Sequence, residues 1–272
     1  MNKDVITTDN SVVEADGTVI TDFDFSMIAD FFMRVKRQGP GGEWETRLAT
    51  SLIPDFKPGG ISIADIGCGT GSQTFVLADE YTDAVIHAVD LLPEMIEGVG
   101  KQCKEKGLSD RIRPVQASMD SLPFAPASLD LIWAEGSIFV MGYEKGLSYW
   151  HQFLKPGGFV AVTDCSWLSS DRPADMGWIR DNLPEIDTIA NKIAQMESAG
   201  YEPFAHFALP EECWTTNYYE PMRPVMAEFL RDHGNSAVAR AFVDRLQEEM
   251  AYYEANKSCF GYVFYIGRKK FI

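Results

Sequence analysis

Basic residues are scarce in this chain, and several other common features are missing. Lysine and arginine together number 24 against 40 aspartates and glutamates, which gives a net charge of −16. A chain with this excess of negative charge repels nucleic-acid phosphates, so neither DNA nor RNA is expected as a partner. No apolar stretch approaches the roughly 20 residues of a membrane span, and residues 1–11 lack a signal-peptide pattern. The sequence therefore predicts a cytoplasmic protein.

Cysteine and histidine are also few, and neither forms a ligand pattern. The five cysteines are odd in number, widely scattered and without a C-x-x-C pair, so reduced, unpaired thiols are expected. Cys68 is interpreted as a small residue filling a tight turn and not as a nucleophile. The four histidines show no metal-ligand spacing, and no metal site is predicted.

A glycine-rich turn between two apolar runs is the most informative feature present. Residues 63–71 read I-A-D-I-G-C-G-T-G, and Asp90 follows nineteen positions after Gly71 at the end of a second apolar run. This pattern predicts a strand, a turn that opens a helix, and a second strand that carries an acid to a nucleoside ribose.

The spacing of the glycines decides which nucleoside ligand is expected. A dinucleotide site needs G-x-G-x-x-G, but the sixth position counted from Gly67 is Ser72, and counted from Gly69 it is Thr74. A nicotinamide-dependent dehydrogenase is therefore disfavoured. The pattern D-x-G-x-G-x-G instead predicts a turn that lies flat against a phosphate-free ligand.

On these residues the sequence resembles the class I S-adenosylmethionine-dependent methyltransferases, and most closely the ubiquinone and menaquinone biosynthesis group of small-molecule enzymes. The resemblance covers about residues 22–158. It implies S-adenosyl-L-methionine as cofactor, a small-molecule methyl acceptor, and a doubly wound, Rossmann-like α/β sheet of seven strands. The implied strand order is 3-2-1-4-5-7-6 with the last strand antiparallel. A non-catalytic protein that binds S-adenosylmethionine or S-adenosylhomocysteine is the alternative.

Alternating strand and helix patterns agree with this architecture. Strands are expected at 61–66, 84–89, 112–116, 129–133 and 159–163, with helices at 72–80, 93–106 and 144–154. Pro114 lies inside the third strand, where a missing N–H is tolerated at a sheet edge. The third strand is therefore expected at an edge, as the implied order also requires.

The remaining segments are interpreted as helical additions to one domain. Residues 1–58 are expected to form an N-terminal helical cap, with amphipathic segments around Phe31 and around Trp44, Leu48 and Leu52. Residues 59–272 are expected to form the methyltransferase domain, with a helical lid inserted at about 167–257. The acceptor and the oligomeric state do not follow from the sequence.

Several residues near the turn are predicted to bind the cofactor. Asp65 ends the first strand, where its carboxylate would hold backbone N–H groups of the turn or approach the ligand ammonium. A Cβ at the turn glycines would collide with the ligand or force an unfavourable φ. Asp90 would accept both ribose hydroxyls, and Leu91 would lie against the adenine. The predicted cofactor-binding residues at the turn are Asp65, Gly67, Cys68, Gly69, Gly71, Asp90 and Leu91.

A second group follows the third and fourth strands. The resemblance implies that Asp120 and Met119, next to Ser118, contact the adenine, although Asp120 as a turn cap is an alternative. Glu135 follows the central fourth strand and is predicted to hold the cofactor, to position an acceptor ammonium or to accept a proton. Asp164, which ends the fifth strand, and His206 are the other predicted catalytic residues; an ordinary strand position is the alternative for His206.

Tyr143 is a further candidate base, and aromatic residues are expected to cover the site. They would hold an apolar acceptor or a cation against their rings, with core packing as the alternative. These residues are Phe23, Phe25, Trp167, Trp178, Trp214, Tyr218 and Tyr219. A divalent metal is not expected, because Asp164 is followed by Cys165 where metal-dependent catechol methyltransferases carry Asp-Asn.

Overall fold

The structure, a computed structural model, describes residues 12–13, 19–20, 25–54, 56 and 60–271, with side chains from residue 26 onward. The predictions for residues 1–11, for Phe23 and for the side chain of Phe25 lie outside the described residues. No helix in the described ranges is long and apolar enough to cross a bilayer.

In the described part of the chain, ten strands make a small hairpin and one large, mostly parallel sheet. They are β1 (Val12–Val13), β2 (Val19–Ile20), β3 (Ser62–Ile66), β4 (Val85–Asp90), β5 (Ile112–Gln116), β6 (Leu129–Ala134), β7 (Leu154–Trp167), β8 (Asp187–Thr188), β9 (Tyr201–Ala208) and β10 (Phe260–Lys269). The large sheet has the order β5-β4-β3-β6-β7-β10-β9, with β8 paired to β7. Strand β10 is antiparallel to both of its neighbours. The seven-stranded order predicted from the sequence is confirmed.

Helices cover both faces of the sheet. They are α1 (Phe25–Met33), α2 (Glu43–Leu52), α3 (Ser72–Glu80), α4 (Pro93–Lys106), α5 (Tyr143–Trp150), α6 (Met176–Asn182), α7 (Ile189–Ser198), α8 (Glu220–Asp232) and α9 (Ala237–Asn256). Shorter helical turns cover Ile138–Val140, His151–Phe153, Glu211–Cys213 and Thr215–Tyr219. One core cluster joins the sheet to α1–α4, α8 and α9, and the other joins its opposite face to α5 and α7.

The edge position of the third parallel strand is confirmed. Strand β5 has β4 as its neighbour in the sheet, and Pro114 is exposed opposite Ala88. A proline removes one N–H from the ladder, which a strand with one neighbour tolerates. With β5 at the edge, the parallel strands β3, β4, β6 and β7 are neighbours further in, and their carboxyl ends lie side by side. Open α/β folds bind ligands at such a position.

Strand β7 is longer than the sequence pattern indicated. The expected strand at 159–163 extends to Leu154–Trp167, because antiparallel β10 pairs with it as far as Trp167. At its start the pairing with β6 shifts between Leu129 and Leu131. The glycines at 157 and 158 therefore lie within the strand, at an irregularity in its pairing with β6.

Helix α2 exists where it was predicted but buries a different side. Trp44 is 65% exposed, whereas Thr46 and Ala49 are fully buried. Helix α2 packs beside α3, and its polar residues turn toward the end of β6. The apolar stripe expected at Trp44, Leu48 and Leu52 is thus not the buried face.

Candidate functional site

The turn between β3 and α3 has the backbone geometry that glycine permits. Gly67, Gly69 and Gly71 have φ values of +71°, +53° and +92°. The N–H groups of Gly67 and Cys68 donate to the carbonyl of Val89 at 2.8 and 3.0 Å, which fixes the turn to β4. The left-handed conformation costs a residue with a Cβ about 1–2 kcal/mol, so the glycines are a structural requirement of this turn.

Close neighbours restrict the turn further. A Cβ on Gly67 would overlap the Ser137 side chain, and a Cβ on Gly69 would overlap the Gln38 amide oxygen. Ser137 cannot move easily, because its hydroxyl donates to the Ile66 carbonyl at 2.7 Å.

We expect Gly67→Ala to lower the free energy of unfolding by about 2–4 kcal/mol, from backbone strain plus overpacking. Gly107 provides a matched control, because its φ is +68° but a Cβ there would meet nothing within 4 Å. Gly107→Ala is expected to lower the free energy of unfolding by only about 1–2 kcal/mol, from backbone strain alone. Urea denaturation of both variants measures the difference, and equal losses would show that the turn is not crowded.

Asp65 lies fully buried at the end of β3 and is held by α3. Its carboxylate accepts hydrogen bonds from Gln73 Nε2, at 3.1 Å, and from the Thr74 hydroxyl. Burial raises the pKa of Asp65 to about 7, against the effect of these two donors, and nearby Glu135 and Asp90 raise it further. The partners of Asp65 are thus side chains of α3, and its protonation changes near neutral pH.

This pKa predicts a pH dependence of stability. The folded-state pKa of about 7 lies above the ordinary 3.8, so the native state retains a proton that the unfolded chain releases. The stability contributed by the protonated form is present below about pH 4 and is lost as the pH rises to about 7. Asn cannot ionise, so Asp65→Asn should match the wild type near pH 4 and exceed its unfolding free energy at pH 8, by up to about 4 kcal/mol. Urea titrations across this range check the result, and parallel pH curves for the two proteins would contradict it.

Asp90 ends β4 directly opposite the glycine turn. Its Oδ2 accepts from the Gly69 N–H at 2.9 Å, and its Oδ1 accepts from the Leu92 N–H at 3.0 Å. Burial raises the pKa of Asp90, and these backbone donors oppose that effect. The adjacent Leu91 side chain is 59% exposed, which leaves an apolar surface beside the carboxylate.

The residues after β5 form a tight turn beside this surface. The Ser118 hydroxyl donates to Asp120 Oδ1 at 2.6 Å, and Asp120 is exposed. The Met119 carbonyl accepts from the indole N–H of Trp150 at 2.9 Å, which ties the turn to α5. Asp120 therefore takes part in the turn, as the alternative interpretation expected, while its carboxylate remains accessible.

Glu135 lies at the centre of a buried network that joins β6 to the N-terminal segment. Its Oε1 accepts from the Thr46 hydroxyl at 2.7 Å and from Trp133 Nε1 at 2.9 Å. Its Oε2 accepts from Arg37 Nη2 at 2.6 Å, and both side chains of this ion pair are nearly buried. Arg37 Nε is buried and has no hydrogen-bond partner within the described residues. Sequence reasoning missed this role of Arg37, although the residue lies two positions before Gly39-Pro40-Gly41-Gly42, a turn between the two N-terminal amphipathic segments.

The segment 37–42 crosses over the glycine turn as a strap between α1 and α2. Gln38 Oε1 accepts from the Thr70 N–H at 3.0 Å, and the Gly41 N–H donates to the Cys213 carbonyl at 3.2 Å. A cavity of about 50 Å³ remains between this strap and the turn. It is lined by Arg37, Gln38, Gly39, Gly67, Cys68, Gly69, Ser72, Gln73, Glu135 and Gly136. This donor cavity, as we call it, joins the predicted turn residues to Glu135.

Asp164 lines a second cavity of about 180 Å³, which shares Gln38, Gly39 and Gly136 with the donor cavity. Asp164 Oδ2 pairs with Lys192 Nζ at 2.5 Å, and the Lys192 side chain is 1% exposed. Burial raises the pKa of Asp164, while the Lys192 charge opposes that effect. The two predicted carboxylates, Glu135 and Asp164, thus border adjoining cavities, and each already has a cation.

Other predicted residues are positioned differently. His206 is exposed on edge strand β9 and lines neither cavity. Tyr143 is buried beneath Lys192, and burial raises the pKa of its hydroxyl well above the usual value. Trp167 stacks with Arg172 outside both cavities, whereas four aromatic residues of the predicted cover line the second cavity or its rim. These are Trp178, Trp214, Tyr218 and Tyr219.

The cysteines fit the expectation drawn from their spacing. All five lie within the described residues, where they are free and buried. Burial raises the pKa of the Cys68 thiol well above its usual value, which agrees with a filling role in the turn. Among the described residues, no three histidine, cysteine or acidic side chains converge as a metal-ligand set.

Comparison with known proteins places the glycine turn, Asp90 and Glu135 inside a segment that matches a known family. Residues 63–158 match the family model described as a methyltransferase domain. A malonyl-[acyl-carrier protein] O-methyltransferase from Dechloromonas aromatica is 31% identical over 54% of this chain and 50% of its own length. A ubiquinone/menaquinone biosynthesis C-methyltransferase from Brucella anthropi is 34% identical over 42% of this chain and 44% of its own. The chain spans about half the length of the curated relatives it matches.

The fold extends the likeness beyond the matched segment. A solved methyltransferase from Geobacter sulfurreducens, in complex with S-adenosyl-L-homocysteine, superposes with a TM-score of 0.77. The superposition covers 90% of this chain and 98% of that methyltransferase, at 13% sequence identity. The protein therefore has the Rossmann-like methyltransferase fold over nearly its whole described length.

Proposed function

We propose that this protein is an S-adenosylmethionine-dependent methyltransferase that acts on a small-molecule acceptor. The observation that carries the proposal is the left-handed glycine turn with the Asp90 carboxylate opposite it, inside residues 63–158 that match the methyltransferase domain. A turn that lacks the dinucleotide spacing and faces an acid on the next strand suits an adenosyl ligand without phosphates.

The charges around the donor cavity fit this cofactor. S-adenosylmethionine carries a carboxylate, an ammonium and a sulfonium. Arg37 Nε, buried and without a partner among the described residues, would hold the carboxylate, and Glu135 would hold the ammonium. Among the described residues that line the cavity, Arg37 is the one basic side chain, whereas Asp65, Asp90 and Glu135 lie close enough to repel one another, so a ligand with positive charge lowers that repulsion.

The adenosine would lie over the surface beside Asp90. Its ribose hydroxyls would replace part of the present hydrogen bonding of the Asp90 carboxylate. The exposed side chain of Leu91 would pack against the adenine, with Met119 and Asp120 beyond it and Ser118 holding the Asp120 carboxylate. Gly67, Cys68, Gly69 and Gly71 would form the floor.

Bound there, S-adenosylmethionine supplies a methyl group that its sulfonium charge already activates for in-line displacement. The chain's contribution is to orient the acceptor and to keep water out, since proximity and alignment supply most of the acceleration in such a transfer. The strap at 37–42 closes the donor cavity from one side, and Gly136 forms the wall that it shares with the second cavity. The second cavity, which we call the acceptor cavity, is the space available to the acceptor.

Asp164 is the residue we propose for contact with the acceptor. Of the predicted catalytic residues Glu135, Asp164 and His206, it is Asp164 that lines the acceptor cavity. Its pairing with Lys192 leaves the second carboxylate oxygen to accept a proton or a hydrogen bond from the acceptor. Glu135 would bind the cofactor. His206, exposed on β9, would contact the acceptor only if β9 moved so that this side chain faced the acceptor cavity.

The finer parts of the proposal follow the sequence analysis. Residues 59–272 would form the catalytic domain with a lid at about 167–257, and residues 1–58 would form the cap. Five free cysteines suit the cytoplasm, and the charge of −16 disfavours nucleic acid as a partner. The ubiquinone and menaquinone type is one of several acceptor classes among the relatives, which also include an enzyme named for malonyl-[acyl-carrier protein]. A non-catalytic binding protein would not need the acceptor cavity next to the donor cavity.

The test uses the purified full chain and two measurements. Calorimetry should show binding of S-adenosylmethionine and of S-adenosylhomocysteine but not of NAD. Incubation with cell extract and methyl-labelled S-adenosylmethionine, followed by mass spectrometry, should then give a labelled small molecule. Cofactor binding without any labelled product would favour the non-catalytic alternative, and NAD binding in place of the sulfonium ligand would overturn the proposal.

A further inference from the structure

The acceptor cavity is built from aromatic rings and carboxylates. Six aromatic residues contributed by the segment after β9, by α9 and by β10 surround it: Trp214, Tyr218, Tyr219, Tyr253, Phe260 and Tyr262. Trp214 stacks on Tyr253 with ring centroids 4.4 Å apart and meets Tyr262 at 4.8 Å. Such packed rings form a rigid wall with fixed electrostatic faces.

Glu249, on α9, places a second carboxylate in this wall besides Asp164. Its Oε1 accepts a hydrogen bond from the Tyr219 hydroxyl at 2.9 Å. Asp164 has Lys192 as its cation, whereas the hydrogen-bond donor to Glu249 is a neutral group. Burial raises the pKa of Glu249, as expected for a carboxylate without a nearby positive charge.

Positive charge is missing from the described residues that line this cavity, where there is no lysine, arginine or histidine. The indole Nε1 of Trp214 is also buried without a hydrogen-bond partner in the described part of the chain. A buried carboxylate is stabilised by a proton or a cation, and the described lining supplies no cation to Glu249. A neutral apolar ligand would leave Glu249 with the Tyr219 hydrogen bond but without a counter-ion, and an anion would be repelled.

We propose that the acceptor cavity binds the methyl acceptor by a cationic nitrogen, an ammonium or N-methylated ammonium group, with Glu249 as its counter-ion and the Trp214 side of the cavity as a cation–π wall. This inference rests on the proposed function, because it assumes that the cavity is the acceptor's place. The volume of about 180 Å³ suits a small head group rather than a drug-sized molecule. The cavity adjoins the donor cavity at Gly39 and Gly136, so an acceptor anchored by its cation presents a separate, neutral nucleophile to the proposed donor. The second oxygen of Asp164 would take the proton that this nucleophile releases.

The first arm of the test needs no variant. Choline and its uncharged carbon isostere, dimethylbutanol, are titrated into the full chain saturated with S-adenosylhomocysteine, so that no turnover occurs. The two probes share shape and differ in charge. We expect choline to bind at least about tenfold more tightly, since cation–π and ion-pair contacts distinguish the probes. Equal binding of the two probes, or tighter binding of the isostere, would overturn the inference.

The second arm assigns the effect to one side chain. Glu249→Gln keeps an acceptor for the Tyr219 hydroxyl but removes the charge, and it should abolish the preference for choline while leaving the affinity for S-adenosylhomocysteine unchanged. Glu248→Gln, at the exposed neighbouring position on α9, is the matched control and should retain the preference. Unchanged choline binding in Glu249→Gln would place the cation elsewhere and refute the assignment.

The two proposals fail separately in this design. If S-adenosylhomocysteine does not bind, the proposed function fails, whatever choline does. If S-adenosylhomocysteine binds and the choline preference is absent, the cationic acceptor is refuted while the cofactor site stands. Thermal unfolding of each variant shows that the comparison is made on folded protein.

Discussion

Replacing Lys192 by methionine is expected to lower the free energy of unfolding by about 3–5 kcal/mol. The Lys192 ammonium lies 2.5 Å from Asp164 Oδ2 and 4.5 Å from the ring centroid of Tyr143, in a position that is 1% exposed. Methionine fills the space of the aliphatic stem but leaves Asp164 as a buried carboxylate without a cation. The cost comes mainly from that stranded charge and not from the lost contact.

Two further variants separate this cause from simple loss of packing. Adding Asp164→Asn to Lys192→Met removes the stranded charge and should recover most of the stability, although it also removes a proposed acceptor contact. Lys155→Met is the control, because its ion pair with Asp130 involves a side chain that is 44% exposed and should contribute at most about 1 kcal/mol. Urea denaturation at pH 7 measures all three. A loss in Lys192→Met no larger than in Lys155→Met would show that the buried pair does not stabilise the fold.

Replacing Arg37 by methionine is expected to weaken binding of S-adenosylhomocysteine by about ten- to a hundredfold. Arg37 lines the donor cavity and has a buried Nε without a partner among the described residues, which suits the ligand's carboxylate. Charge-assisted hydrogen bonds contribute about 1.5–3 kcal/mol, which corresponds to that loss of affinity. Arg37→Met also leaves the buried Glu135 carboxylate without its cation, which lowers stability, although Glu135 keeps the hydrogen bonds from Thr46 and Trp133. Thermal unfolding therefore accompanies the binding measurement, which is made on folded variant.

Arg47 is the matched control for this experiment. It forms ion pairs with Glu43 and Asp79 on the surface of α2 and α3 and lines neither cavity. Calorimetry with S-adenosylhomocysteine should therefore give wild-type affinity for Arg47→Met. Equal affinities for Arg37→Met and the wild type would remove Arg37 from the proposed cofactor site.

The parts of the fold that sequence could predict are those fixed by local patterns. Helices α3 and α4 begin and end at the predicted residues, because glycine and proline punctuate both and apolar residues recur between them. The edge position of β5 followed from Pro114 and the implied strand order. The spacing from the glycine turn placed Asp90 opposite that turn, since both belong to one β-α-β unit.

The hydrophobic pattern did not predict the polar residues that are buried around the candidate site. Helix α2 buries Thr46, which donates a hydrogen bond to Glu135. Trp44 on the same helix is therefore exposed, although the apolar pattern predicted that it would be buried. Arg37 meets Glu135 across 98 positions of sequence, and Lys192 meets Asp164 across 28. No periodicity encodes such pairs, because they depend on where the strap and the helix after β8 cross the sheet. The position of Glu249 beside the acceptor cavity was not predicted for the same reason, because it is one acid on a long amphipathic helix.

The central claim is that Asp90 holds the ribose of an adenosyl sulfonium ligand beside the glycine turn, and calorimetry on Asp90→Ala tests it most directly. Asp83→Ala, at an exposed position shortly before β4, is the control, and thermal unfolding verifies that both variants fold. We predict that Asp90→Ala binds S-adenosylmethionine at least about thirtyfold more weakly than the wild type, because two charge-assisted hydrogen bonds are lost, while Asp83→Ala binds normally. Wild-type affinity in folded Asp90→Ala would contradict the account.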